Sequence, residues 1–170
     1  MKNMKKTLLL ITAMIFSCAH FFAMGTGAQL NANPKIHSGN DSSFAAGASC
    51  TLKTDSIPLY FTFETNYDFY DDTFDIGIGA DYWFCNPQIA ANWGWFLGAG
   101  AFAGAGIEKD GALVNIAPRA VLGTNLTLFD GFLELFVQAA VQPSFQFDVR
   151  DSDVNFLMEI PIAFGIRIWD

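Results

Sequence analysis

Beyond residue 35 the chain alternates apolar and polar residues with a period of two, and no apolar run of helix length occurs. That period sends successive side chains to opposite faces of a strand. In the segment from Leu59 to Phe69, one face carries Leu59, Phe61, Phe63, Thr65, Tyr67 and Phe69, and the other carries Tyr60, Thr62, Glu64, Asn66 and Asp68. The next segment repeats the pattern, with Phe74, Ile76, Ile78, Ala80, Tyr82 and Phe84 opposite Asp75, Gly77, Gly79, Asp81 and Trp83. The same test marks strands at Phe22 to Ala32, Phe44 to Leu52, Trp93 to Ile107, Val114 to Leu128, Leu133 to Val141 and Phe156 to Ile168. Eight strands result.

Strands of roughly 9 to 15 residues exceed the five or six usual in soluble sheets and match the 9 to 11 that a tilted strand needs to cross a bilayer. The oily faces hold Leu, Ile, Val, Ala and Phe with scarcely a charge. The polar faces are poor in Lys and Glu, and between Trp93 and Ile107 one reads Gly94, Phe96, Gly98, Gly100, Phe102, Gly104 and Gly106. Small residues and rings of this kind fill a narrow lumen, whereas a water-facing side is rich in charge. Hydrocarbon tolerates no open edge, so the sheet must close on itself. The expected fold is all-β: an eight-stranded antiparallel up-and-down transmembrane barrel.

With the N-terminus on the periplasmic side, the links at Lys53 to Pro58, Cys85 to Asn92 and Phe129 to Gly131 fall inside. Those at Asn33 to Asp41, Tyr70 to Thr73, Glu108 to Gly111 and Gln142 to Asp153 fall outside. Asp130-Gly131 and Asp110-Gly111 are hairpin signals, because glycine supplies the positive φ of primed turns. Tyr67, Phe69 and Phe74 gather at one rim and Tyr82, Phe84, Trp93 and Trp95 at the other, as headgroup girdles do.

Ahead of these strands, Lys2, Lys5 and Lys6 precede an apolar run from Thr7 to Phe16, and Ser17 and Ala19 follow at spacings suited to signal cleavage. Residues 1–19 are therefore expected to form a signal-peptide helix, and 20–170 the barrel. Ile15-Phe16-Ser17-Cys18 also loosely matches a lipoprotein box, which would acylate Cys18. The chain has 9 basic and 17 acidic residues; without the three lysines 6 remain, for a charge near −11 (6 − 17), which makes nucleic acid an improbable partner. Cys50 and Cys85 fall two strands apart, about 10 Å, so two unpaired thiols are expected.

The charges on the inward faces are Glu64, Asp68, Asp75, Asp81, Arg119, Glu134, Glu159 and Arg167. A buried charge is costly unless paired. Arg167 is expected to pair with Glu134, and Arg119 with Glu64 or Glu159, giving a salt-bridge network of Glu64, Asp81, Arg119, Glu134, Glu159 and Arg167. Such a network is a structural plug or an ion gate, and eight strands leave room for little besides side chains. Glu64, Asp81 and Glu159 share their face with no nucleophile and histidine pair, so no catalytic set is expected. His37 with Ser38, Asp41, Ser42 and Ser43 has the group types of a rim hydrolase, but Asn33-Pro34 and Gly39-Asn40 read as loop. No spacing of His and Cys suits a metal, and no glycine loop suits a phosphate. No cofactor is implied.

The eight alternating segments with short inner turns, the opening Phe22-Ala23-Met24-Gly25-Thr26-Gly27-Ala28 and the closing Pro161-Ile162-Ala163-Phe164-Gly165-Ile166-Arg167-Ile168-Trp169 resemble the small outer-membrane barrels of the OmpA, OmpX, OmpW and opacity type, closest in tone to spirochaetal ones. The resemblance implies an outer-membrane, surface-exposed protein that serves envelope integrity, adhesion or small-solute passage, with the bilayer and the barrel-assembly machinery as partners. In that family the last strand ends on an aromatic residue; here Trp169 is penultimate. Three other readings stand beside a structural or surface-interaction barrel. One is a narrow pore for small or hydrophobic solutes, one a soluble lipocalin-like barrel with the oily face inward, and one a rim enzyme using His37.

Overall fold

The structure is a computed structural model and describes residues 24–37, 42–55, 57–70, 72–107, 112–149 and 154–169. The signal segment, Cys18, Ser38, Asp41 and the 108–111 turn lie outside the described residues. The strands are β1 (Met24–His37), β2 (Ser42–Thr54), β3 (Leu59–Asp68), β4 (Thr73–Cys85), β5 (Gln88–Ala90), β6 (Trp93–Ile107), β7 (Ala112–Leu128), β8 (Leu133–Asp148), β9 (Val154–Glu159) and β10 (Ile162–Trp169). Every pairing is antiparallel. The ring runs β1-β2-β3-β4-β6-β7-β8, and β9 and β10 in tandem form the eighth wall strand, joining β8 to β1. The short β5 pairs only with β6.

The strands outrun the pattern read from the sequence. The first continues past Ala32 to His37 and the seventh past Val141 to Asp148, so Asn33–His37 and Gln142–Asp148 are wall and not loop. Asn33-Pro34 and Gln142-Pro143 look like turn chemistry, yet closure into a ring lets neighbouring strands hold them extended. The eighth strand breaks at Ile160-Pro161. The Phe129–Gly131 link is a short 3-10 turn with Phe129 and Asp130 at positive φ, not a two-residue primed hairpin.

The register fixes the barrel's geometry. Stepping across the pairs from Gly25 leads through Lys53, Tyr60, Asp81, Gly100, Arg119, Gln142 and Glu159 back to β1 at Lys35, a stagger of ten residues (35 − 25). With eight strands this corresponds to a tilt of about 40°, so each residue advances roughly 2.5 Å along the axis. On β4 the outward row from Phe74 to Phe84 then spans about 25 Å, the height of a lipid-facing band. Phe44, Tyr67, Phe74 and Phe145 are exposed near one margin, and Tyr82, Phe84 and Trp93 near the other. At the second margin Trp93 Nε1 donates to Thr124 Oγ1 at 2.6 Å.

Outward residues between the margins are uncharged: Leu30, Phe63, Ile78, Leu122, Val137 and Phe164 are all exposed. Polar and charged side chains line the interior, among them Gln29, Asn31, Thr51, Thr62, Arg119 and Gln138, all buried. This arrangement inverts that of a soluble ligand-binding barrel, and the lipocalin-like reading is overturned by it. The two cysteines among the described residues are free, with Cys50 exposed on β2 and Cys85 half-buried at the end of β4.

Candidate functional site: the barrel lumen

The lumen divides into two halves. The half nearer Met24 and Trp169 is filled by stacked rings. Trp83 and Phe96 stack at 3.7 Å with an interplanar angle of 5°, Tyr60 stacks on Trp83 at 5.2 Å, and Phe136 meets Tyr60 edge-on at 6.2 Å. These rings come from four separate strands. They fit because Gly123 and Gly165 lie beneath the edges of Phe96 and Phe136, where a Cβ would overlap ring carbons.

Around this floor lies an ion cluster. Arg167 Nη1 sits 2.6 Å from Glu134 Oε2, its register neighbour on β8. Glu134 also accepts from Trp169 Nε1 at 2.8 Å and Asn125 Nδ2 at 2.9 Å, with Lys53 Nζ at 3.8 Å. The cations are shared with the rings: Lys53 Nζ is 4.3 Å from the Trp83 centroid, and Arg167 Cζ is 4.5 Å from Phe136. Ring faces substitute for part of the water a buried cation loses.

Arg119 takes a partner different from the expected ones. Its Nε lies 3.1 Å from Asp81 Oδ1, so neither Glu64 nor Glu159 is its ion-pair partner. Position in the ring decides this, since Asp81 and Arg119 flank Gly100, which has no side chain to part them.

The half nearer His37 and Ile107 is acidic. Lys35 Nζ bridges Asp68 at 2.9 Å and Asp75 at 3.0 Å. Ser43 donates to Asp68 at 3.1 Å and stands 3.3 Å from His37 Nε2. Glu159 accepts from Asn33, Asn115 and Gln142 at 3.0, 2.9 and 2.8 Å. Glu64 accepts from Asn66 at 3.4 Å. Among the described residues Glu64 and Glu159 have no ion-pair partner. Between these groups lies a narrow polar cavity of about 20 Å³, room for about one water, lined by Asn33, Lys35, Glu64, Asp75, Asn115 and Glu159.

Lys35 and Lys53 were missed by the sequence reading because each follows a residue taken as a strand end, Ala32 and Leu52. The parity that places Gln29 and Thr51 inward already places both lysines inward. His37 and Ser43 meet, but the carboxylate beside them, Asp68, bonds to Ser43 and Lys35 instead of orienting the imidazole. That is not the geometry of a charge-relay set. Among the described residues no group of His, Cys, Asp and Glu could hold a metal ion.

No known protein family matches the chain's sequence, and no curated protein matches it either. Solved structures do match by shape. Neisserial surface protein A superposes with a TM-score of 0.60 at 14% identity, over 85% of this chain and 96% of that one. The fold is that of the small outer-membrane β-barrels. The N-terminal barrel domain of Pseudomonas aeruginosa OprF also aligns, over 82% of this chain and 96% of that domain, with 14% identity and a TM-score of 0.41.

Proposed function

We propose that this chain is a non-enzymatic barrel of the bacterial outer membrane with a structural or surface-interaction role, exported by the signal peptide at 1–19. The observation that carries this reading is the filled terminal half of the lumen. The Trp83–Phe96 stack and the Lys53–Glu134–Arg167 cluster occupy the cross-section, and a small eight-stranded ring has no other route past them. The Lys53, Glu134 and Arg167 side chains are at most 9% exposed, so the cluster acts as a tie between strands and not as a hydrated path. The bilayer, through the outward band, and the barrel-assembly machinery are the partners this reading needs.

The alternative is a narrow pore, favoured by the polar cavity in the acidic half. Planar-bilayer recordings separate the two. A sealed barrel gives no discrete conductance from the native chain, and Trp83→Ala together with Phe96→Ala opens one. Discrete steps from the native chain would reverse the assignment. Heat-modifiable gel migration with membrane fractionation tests location independently, and recovery from the soluble periplasm without detergent would defeat the membrane reading.

A further inference from the structure

The apolar rows on the outside of the barrel differ in height from one side to the other. With an advance of roughly 2.5 Å per residue along the axis, the outward row of β3 from Leu59 to Tyr67 rises about 20 Å, and that of β4 about 25 Å. On β7 the row from Ala112 to Leu128 rises about 40 Å, and on β8 that from Leu133 to Phe147 about 35 Å. Neither of these two rows holds a charged residue. A lipid-facing band is about 25 Å tall, so this wall carries apolar residues past the hydrocarbon at both ends. Phe147 and Val149 stand beyond Phe145 at one margin, 39% and 65% exposed. Phe132 lies beyond Trp93 and Leu126 at the other, 55% exposed.

Lipid tails leave those ends uncovered, and an apolar surface exposed outside the hydrocarbon marks a protein contact. A soluble partner reaches only one end of the wall. Covering both takes a partner that crosses the membrane and carries the same surplus of height. The β7–β8 wall of a second copy meets that requirement. A two-fold axis along the bilayer normal brings equal heights together and buries the same patch on each copy, which closes the assembly at two. The middle of the wall lets the two backbones approach, because its outward residues there are Pro118, Ala120 and Ala139. At that height the ladder is also interrupted: pairing stops at Ile116↔Phe145 and resumes at Ala120↔Val141, and the register sets Pro118 opposite Pro143. Two prolines facing each other leave the ladder short of donors, and a facing barrel shields this stretch. A strip about 40 Å high and about 15 Å wide amounts to roughly 600 Å² per copy, or about 1,200 Å² in the pair, the lower end of what a stable specific interface buries.

We propose that the outward β7–β8 wall is a homodimer interface, through which two copies of this chain stand side by side in the membrane about a two-fold axis. This goes beyond the sealed-barrel assignment and leaves each lumen as it is, so conductance recordings do not bear on it.

The test uses the full chain, labelled once at its N-terminus and refolded into large lipid vesicles at high dilution, and counts photobleaching steps. The native chain gives mainly two-step spots. Ala120→Trp/Ala139→Trp fills the flat middle of the wall while keeping it apolar, and weakens association about tenfold, towards single steps. Ala48→Trp, outward on β2, leaves the dimer intact. Heat-modifiable migration reports that each variant is folded. In a Cys50→Ser, Cys85→Ser background, Ala120→Cys oxidises to a covalent pair of copies, and Ile78→Cys on β4 does not. Four results would each overturn the proposal: single-step spots from the native chain; a folded double-tryptophan variant as dimeric as the native; equal cross-linking through Ile78→Cys and Ala120→Cys; or cross-linking of Ala120→Cys in native membranes to a different protein alone.

Discussion

Replacing Glu134 with Ala tests the ion cluster where it is most tightly built. Glu134 is 1% exposed and takes Arg167, Trp169, Asn125 and Lys53 within 2.6, 2.8, 2.9 and 3.8 Å. Its removal leaves two buried cations facing each other, together with an indole N–H and an amide that have lost their acceptor. Breaking a buried ion pair by deleting one partner costs about 3–5 kcal/mol. The rings around Lys53 and Arg167 return about 0.5–2 kcal/mol per cation, but they do so in the native protein as well and do not offset the loss. The expected destabilisation is therefore about 3–5 kcal/mol, read from the urea midpoint of the barrel refolded into lipid vesicles. The matching apolar variant, Lys53→Met with Glu134→Leu and Arg167→Met, removes all three charges together and is expected to lie within about 1 kcal/mol of the native chain. A single variant that shifts by less than about 1 kcal/mol, or a triple variant as costly as the single, would refute the assignment of this cluster as a desolvated tie.

Other perturbations test other parts of the wall and lumen. Arg119→Ala strands Asp81 in the lumen and is expected to cost about 3–5 kcal/mol, with much of the loss recovered in Arg119→Met/Asp81→Leu; equal costs in the single and double variants would count against the pair. Tyr60→Phe removes a 2.6 Å hydrogen bond to Gln29 and is expected to cost about 1 kcal/mol in the same unfolding assay. Gly123→Ala drives a methyl group into the Phe96 ring and is expected to cost about 1–3 kcal/mol, an effect that vanishes in the Phe96→Leu background. Phe129→Asn relieves a bulky residue at φ 52° and is expected to gain about 1 kcal/mol, provided the turn is retained in the amide exchange pattern.

Much of the wall was legible because a closed membrane barrel imposes one rule, apolar outward and polar or small inward, on every strand. The rule holds from Leu59 to Asp68 and from Phe74 to Phe84, where the expected and observed faces coincide residue for residue. It failed where local turn chemistry contradicted it. Asn33 to Asp41 and Gln142 to Asp153 read as links from sequence, and those boundaries hid Lys35 and shortened the seventh strand by seven residues, from Val141 to Asp148. The partner of Arg119 was hidden for a different reason. Asp81 and Arg119 meet across Gly100 through two successive registers, β4 on β6 and β6 on β7, and no sequence spacing between them carries that information.

The same stagger explains why the two lumen halves differ in character. The path from Gly25 through Lys53, Tyr60 and Asp81 to Arg119 climbs the wall, so one end of the lumen receives Lys53 and Arg167, and the other receives Asp68, Asp75, Glu64 and Glu159, with Lys35 among the described residues in opposition. Aromatic faces solvate cations and not carboxylates, so the cationic end can be packed dry with Trp83, Tyr60 and Phe136. The acidic end has to be solvated by donors instead, and asparagine and glutamine amides serve there: Asn33, Asn115 and Gln142 on Glu159, and Asn66 on Glu64. An amide that gives its NH₂ to a carboxylate leaves a carbonyl oxygen behind. Packing the acidic half with amides therefore leaves the carbonyl oxygens of Asn33, Asn115 and Gln142 buried without a donor among the described residues.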